Sequence, residues 1–221
     1  MKTLIIIPAY NEVDNLLSLV GSIKEQKYDY LVINDCSSDN TEVFAKENNI
    51  NILNLPVNMG LTHVTQIGFK YAFDNNYDCV VCIDGDGQHI PSYINVLVKE
   101  IEKGNDYVIG SRFIEEKKPI SLRMMGSSLL SLFIKIKTGC TINDPTSGMR
   151  ACGKKIIEEF SSNMNFYSEP DTACYLMNKH YKIKEVQVKM KDREKGESYF
   201  KNPIRSIRYM ISEIIMILFI R

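Results

Sequence analysis

The chain has 221 residues, 44% of them apolar and 24% charged, and its 27 basic and 27 acidic side chains give a formal net charge of zero. That balance excludes a strongly basic nucleic-acid binder, and the composition is that of an ordinary soluble globular fold. The length suits one ample core and is short for two domains.

Residues 3–7 form an apolar, β-branched run closed by Pro8, the pattern of a first buried strand. Over residues 15–23, Leu16, Leu19, Val20 and Ile23 fall on one helical face. A second strand is expected at 31–33. The loop behind it, Asn34-Asp35-Cys36-Ser37-Ser38-Asp39, has the chemistry of a helix start and predicts a helix over 41–47. A strand at 51–55, a turn at Asn58-Met59-Gly60, a helix over 61–73, a strand at 79–83, a helix near 93–102 and a strand at 107–109 continue the alternation. This rhythm predicts an α/β fold with a mostly parallel sheet flanked by helices on both faces.

Beyond residue 110 the pattern is less regular. A helix is expected over 121–137, with Leu122, Met125, Leu129, Leu132, Phe133 and Ile136 in helical period, and the loop before it contains Lys117-Lys118-Pro119. A polar turn over 144–150, a short helix over 154–160, a helix start at Glu169-Pro170-Asp171 and a last strand within 181–190 follow.

From Lys189 onward eight basic residues face four acidic ones, and residues 204–220 are strongly apolar but interrupted by Arg205, Ser206, Arg208, Ser212 and Glu213. Such a segment is too short and too charged to span about 30 Å of hydrocarbon. It reads as a helix lying in a membrane interface; a helix packed on the domain, on a small membrane protein or in a homodimer is the competing reading. The expected organisation is one globular domain over 1–202 and an amphipathic membrane-interface or partner-docking helix over 203–221.

The six cysteines are scattered, four of them inside apolar or helical patterns, which predicts a reducing compartment. Cys79 and Cys82 make a C-x-x-C inside a predicted strand, without a second pair or nearby histidines, and read as buried thiols rather than a zinc or redox site. The apolar run at the N-terminus is too short for a signal peptide, so export is not expected.

The strongest chemical signal is where the strand at 79–83 stops, at Asp84 and Asp86, one glycine apart, with the amide of Gln88 beside them. Ligands collect outside the carboxyl ends of parallel strands, and this hard oxygen set suits Mg²⁺ or Mn²⁺, which recruit phosphates. An Asp-Gly turn after a core strand is the plain alternative. Tyr10, Glu12, Asp35 and Asp39, at the ends of the first two strands, would share the same crevice. Neither G-x-G-x-x-G nor G-x-x-x-x-G-K-S/T occurs, which argues against dinucleotide dehydrogenases and P-loop NTPases.

Seven stretches in register give the chain a resemblance to the family 2 glycosyltransferases of GT-A type, and within them to the dolichol-phosphate mannose synthase and polyprenyl-phosphate transferase branch. They are IIIPAYNE at 5–12, VINDCSSDNT at 32–41, NMGLTHVTQIGFKYA at 58–72, DGDGQHIP at 84–91, GSRF at 110–113, DPTSGMRA at 144–151, and EV-x-V with R-x-x-G-x-S at 185–198. The resemblance implies a GT-A nucleotide-sugar-binding fold. It also implies metal-dependent, inverting transfer of a hexose from a UDP- or GDP-sugar to dolichyl or undecaprenyl phosphate, at the cytoplasmic, inner face of a membrane.

By the same resemblance, Pro8, Tyr10 and Glu12 would line the base and ribose pocket, Asp35 would read the base or ribose, and Asp84 would hold the ribose side. Asp86 with Gln88 would hold the cation on the diphosphate. Arg112, Arg123 and Ser127 would face the acceptor phosphate and the transferred sugar, with Arg193 and Ser198 on a loop closing over the site. The chain departs from the family pattern at Glu169-Pro170-Asp171, where polyprenyl-phosphate transferases usually carry a lone glutamate and sugar-polymer enzymes an acid pair. A lipid-phosphate acceptor, already an anion, needs cationic clamps from Arg112, Arg123 and Arg193. The alternative acceptor, a sugar hydroxyl of a cell-surface glycan, needs a carboxylate base, for which Asp171 and Asp144 are the candidates.

Overall fold

The computed structural model describes residues 1–162, 170–191 and 203–220. Seven strands, β1 (Thr3–Ala9), β2 (Asp29–Asn34), β3 (Ile52–Asn54), β4 (Cys79–Cys82), β5 (Tyr107–Ser111), β6 (Arg150–Gly153) and β7 (Ile183–Gln187), form one sheet in the order β3-β2-β1-β4-β6-β5-β7. All pairs are parallel except those of β6, which runs antiparallel to β4 and β5. The expected α/β architecture with a mostly parallel sheet is the observed one.

Both faces of the sheet are covered, which is why its strands read as unbroken apolar runs rather than alternating ones. In β1, Leu4 and Ile6 enter one core, and Ile5 and Ile7 the other. The helices α1 (Val13–Glu25), α2 (Thr41–Glu47) and α4 (Ile94–Glu102) pack on the second face, with a 3-10 turn at Pro91–Tyr93 leading into α4. On the first face lie α3 (Leu61–Asp74), α5 (Leu122–Thr138), α6 (Lys154–Ser162) and α7 (Pro170–Asn178). Chain order reverses between β1 and β4, so the carboxyl ends of these two neighbours open the crevice in which such sheets bind ligands.

One strand was not legible. The stretch Arg150-Ala151-Cys152-Gly153 has no β-branched residue, opens on a charge and ends on glycine, so nothing local marks it as extended. It becomes a strand because it fills the slot between β4 and β5, and Arg150 is thereby fully buried. Cys79 and Cys82 are three apart on β4, an odd spacing that sends them to opposite faces of the sheet, Cys79 into one core and Cys82 into the other. They cannot share a metal or a disulfide. Burial pushes the Cys79 thiol up to about 12.

Helix α5 is amphipathic with an inverted logic. Met124, Ser127, Leu130 and Ile134 face the core, while Met125, Leu129, Leu132 and Ile136, on the stripe marked by the sequence period, stay exposed. Helix α8 (Pro203–Ile215), extended by a π-helical turn at Met216–Ile220, packs beside it. The backbone of Gly126 lies against Met210, and Lys137 Nζ donates to the Leu218 carbonyl at 3.1 Å. Helix α8 buries Glu213 and Ile217 and leaves Ile207, Ile211, Ile215 and Phe219 exposed. Among the described residues no helix is long and apolar enough to cross a membrane.

Candidate active site

The carboxyl ends of β1, β2 and β4 meet through their loops. Asn11, held at a positive φ of 57°, donates its backbone N–H to Ser37 Oγ and accepts from Ser38 N at 2.8 Å, which laces the loop after β1 to the loop after β2. Asp35 is buried, and its two oxygens accept from Met59 N at 2.6 Å and Gly60 N at 2.9 Å, so it clasps the turn before α3. Glu12 caps α1 with its carbonyl and holds Asn15 Nδ2 at 2.8 Å with its carboxylate, while Tyr10 is half exposed.

The acidic loop after β4 is pressed against these residues. A Cβ on Gly85 would sit 2.8 Å from the Pro8 carbonyl and 3.6 Å from Glu12 Cγ. The buried His89 ring accepts the Asp84 backbone N–H at Nδ1, 2.9 Å, and its Nε2 lies 3.8 Å from Asp84 Oδ2. Asp86 Oδ1 accepts from Gln88 N at 3.0 Å. The Gln88 side chain donates to the Lys191 carbonyl at 3.3 Å, and Lys191 N donates back to the Gln88 carbonyl at 2.9 Å. This loop is therefore tied to the segment after β7, which leads toward residues 192–202. Arg193 and Ser198, expected there, lie outside the described residues, as does Glu169.

Among the described residues no group of three or more His, Cys, Asp and Glu side chains gathers for a metal ion. Two carboxylates and one amide oxygen nevertheless form the sparse hard donor set that Mg²⁺ or Mn²⁺ uses when phosphates and water complete the shell. Asp84, Asp86 and Gln88 fit such an ion, the amide nitrogen of Gln88 being already engaged elsewhere.

The turn 144–148 is the next wall. A Cβ on Gly148 would lie 2.6 Å from Asp84 Oδ2, so turn and acid can touch only because residue 148 has no side chain. Three groups shape this turn, two of them buried. Arg150 donates to the Ser147 carbonyl at 2.7 Å, the Pro145 carbonyl at 2.9 Å and the Tyr107 hydroxyl at 2.7 Å. Glu185, on β7, accepts from Asn143 N at 2.8 Å and Asp144 N at 2.9 Å. Ser147 Oγ donates to the Gly110 carbonyl.

Asp144, fully buried, is met by Arg112 in a bidentate pair, Nε to Oδ2 at 2.7 Å and Nη2 to Oδ1 at 2.8 Å. The Arg112 guanidinium also lies 5.0 Å from the centre of the Phe113 ring. Lys118 Nζ is 5.7 Å from the same centre and donates to Ser127 Oγ at 3.0 Å and Ser131 Oγ at 3.3 Å. Burial pushes the Lys118 ammonium below the ordinary lysine value, against the pull of Asp144. Arg123 is exposed in the first turn of α5. Asp171 is buried at the start of α7, where its backbone N–H donates to Glu213 Oε2 of α8 at 3.4 Å.

The structure thus brings together Pro8, Glu12, Asp84, Asp86 and Gln88, sets Asp144 with Arg112 beside Asp84 through the turn 144–148, and links Ser127 to that cluster. It joins Asp171 to the C-terminal helix. Sequence reasoning missed Lys118, Arg150, Glu185 and His89 as parts of the site. Lys118 was one of two adjacent loop lysines, and Arg150 one charge in a polar turn; only their burial distinguishes them.

The sequence model described as "Glycosyl transferase family 2" matches residues 4–161. Polyprenol monophosphomannose synthase of Mycolicibacterium smegmatis is 26% identical over 228 residues, covering 96% of this chain and 86% of that protein. UDP-N-acetylglucosamine–dolichyl-phosphate N-acetylglucosaminyltransferase of Methanococcus voltae is 30% identical over 183 residues, 72% of each. Glucosyl-3-phosphoglycerate synthase of Mycobacterium tuberculosis, crystallised with Mn²⁺, UDP and phosphoglyceric acid, superimposes over 100% of this chain and 79% of its own with a TM-score of 0.76 at 18% identity. That likeness identifies the fold as GT-A.

Proposed function

Since this chain belongs to glycosyl transferase family 2, we propose that it transfers a hexose from a UDP- or GDP-sugar to a polyprenyl phosphate, with inversion and with Mg²⁺ or Mn²⁺, on the cytoplasmic face of a membrane. The observation that carries this reading is the cation and hydroxyl cluster of Arg112, Lys118 and Ser127 beside α5, a helix whose outward stripe is apolar. The relatives named for polyprenol and dolichyl phosphate acceptors support the lipid phosphate, and the neighbour crystallised with Mn²⁺ and UDP supports a divalent cation and a nucleotide donor.

In the proposed reaction an oxygen of the acceptor phosphate attacks the anomeric carbon opposite the diphosphate. The new C–O bond forms as the bond to the nucleoside diphosphate breaks, and that electron pair leaves with the diphosphate. Asp84, Asp86 and Gln88 would hold the divalent cation, which when bound would supply electrostatic stabilisation of the leaving charge. Pro8, Tyr10, Glu12 and Asp35 are assigned to the nucleotide, and Arg112, Arg123, Ser127, Arg193 and Ser198 to the acceptor. The acceptor is an anion and needs no base. A sugar hydroxyl would need one, and the two candidates are poorly placed for it: both oxygens of Asp144 accept from Arg112, and Asp171 is buried against α8.

The direct test offers radiolabelled UDP- and GDP-sugars, with Mn²⁺ or Mg²⁺, and undecaprenyl or dolichyl phosphate in detergent. Label in the solvent-extracted lipid is the expected result. Metal-dependent donor hydrolysis without lipid label would move the assignment to a hydroxyl acceptor.

The exposed stripes of α5 and α8 support docking on the membrane that holds the lipid, with 203–221 as the interface helix. Burying even part of several Leu, Ile and Met side chains contributes on the order of a few kcal/mol. The protein is expected to sediment with anionic vesicles in high salt and to be released by detergent. Met125→Glu with Leu132→Glu should cut the bound fraction about tenfold without loss of donor hydrolysis. Fully soluble wild-type protein in low salt would sink the docking idea, leaving a small membrane protein or a second copy as the alternatives for α8.

A further inference from the structure

The lysines that the structure sets within ion-pairing distance of an acid among the described residues, such as Lys70 with Asp74 or Lys155 with Asp106, have side chains 44 to 73% exposed. Lys118 is the reverse case. It is half buried beside the site, its hydrogen-bond partners are two serine hydroxyls, and among the described residues no carboxylate lies within ion-pairing distance of it. An ammonium has three N–H donors, so a third remains. Burial of this ammonium on two neutral hydroxyls outweighs the more distant pull of Asp144 and Glu185, so an anion reaching its open side would offset the desolvation.

The neighbouring cation does not fill this role alone. Arg112 turns Nε and Nη2 onto Asp144, and Glu185 spends its oxygens on the amides of Asn143 and Asp144. Those charges hold the turn 144–148 in shape. Ser127 Oγ, which accepts from Lys118, still has its own hydrogen to donate, and it is buried. Lys118 and Ser127 together therefore present donors and a positive charge without an ion-pair partner at the core-facing side of α5, whose other side carries the exposed apolar stripe.

Building on the lipid-phosphate reading above, we propose that the Lys118 ammonium, seated on Ser127 and Ser131 beside Arg112, is the cation that receives the phosphate monoester of the acceptor. Arg112 completes the pocket with the N–H groups turned away from Asp144. Lys118 acts here as an acceptor-binding residue, and it selects a phosphate over a hydroxyl by charge.

Calorimetric titration of the full chain with farnesyl phosphate, farnesol and inorganic phosphate tests this. Wild type is expected to bind farnesyl phosphate at least tenfold better than farnesol or inorganic phosphate. Lys118→Met should weaken farnesyl phosphate about 30-fold, with farnesol unchanged and UDP or GDP binding in Mn²⁺ within twofold. Lys118→Arg should stay within about threefold of wild type, because it keeps the charge. A purely structural lysine would weaken all ligands alike or none. Unchanged farnesyl phosphate binding by Lys118→Met overturns the proposal alone, and so does a loss confined to the nucleotide, which would put this cation on the donor side. A wild type that does not prefer the phosphate over the alcohol overturns both this proposal and the lipid-phosphate reading. If Lys118→Met does not fold, Lys118→Gln, which keeps a donor for the serines without the charge, carries the same expectation.

Discussion

Replacing Asp86 by alanine should lower sugar transfer about 1,000-fold while leaving the protein folded. The magnitude follows from the proposed role: Asp86 would hold the cation that stabilises the leaving diphosphate, and losing one such electrostatic contribution in a preorganised site lowers kcat about 100- to 1,000-fold. The cost to the fold is small by comparison. The Asp86 carboxylate accepts the Gln88 N–H at 3.0 Å, worth about 1 kcal/mol, and the loop is separately fastened by His89 to Asp84 and by Gln88 to Lys191. Initial rates at saturating donor, with circular dichroism and a melting curve alongside, decide it. More than a tenth of wild-type kcat in the variant would remove Asp86 from the donor site.

The second large effect is on stability. Arg150→Met keeps much of the side-chain volume but removes the donors that serve the Ser147 carbonyl, the Pro145 carbonyl and the Tyr107 hydroxyl. All three acceptors sit in or beside a fully buried cluster, and Tyr107 is so desolvated that its phenol is pushed well above the ordinary tyrosine value, burial outweighing the nearby arginine. Leaving buried acceptors unsatisfied costs about 1 to 3 kcal/mol each, so losing the donors to all three should cost at least about 3 kcal/mol. For a domain whose total stability is about 5 to 15 kcal/mol, the urea midpoint should fall by about a third. Because Arg150 shapes the turn whose Gly148 abuts Asp84, donor affinity should fall with it even below the unfolding transition. A midpoint shift of less than about 1 kcal/mol equivalent would show that water replaces the guanidinium without loss.

The two variants separate what the site owes to a reacting-centre charge from what it owes to scaffolding. Asp86 stands at a strand end where any Asp is plausible on chemistry alone. Arg150 has no chemical signature at all. Its importance comes from a strand that the sequence does not announce, inserted antiparallel between β4 and β5, which carries the turn 144–148 to the acidic loop.

The sequence by itself determined the parallel half of the fold and the sheet edge at which the strand-end acids gather. Apolar runs of strand length fix β1, β2 and β4 because a strand buried on both faces has no polar residues to alternate, and the acids that end them must lie at the same sheet edge because parallel strands point the same way. The helices α1 to α4 followed from period and capping chemistry, and α2 begins and ends where the pattern put it, at Thr41 and Glu47. What only the tertiary structure decided is how charges pair and which way a stripe faces. Lys118 and Lys117 are equivalent as letters; burial on two serines separates them. Asp144 reads as an available carboxylate until Arg112, thirty-two residues earlier, occupies both its oxygens. The apolar stripe of α5 has the period of a core face, yet it points outward, because Leu130 and Ile134 already fill the space against the sheet. Periodicity reports that a helix has two faces; which one is buried is settled by long-range packing, and no local pattern contains that information.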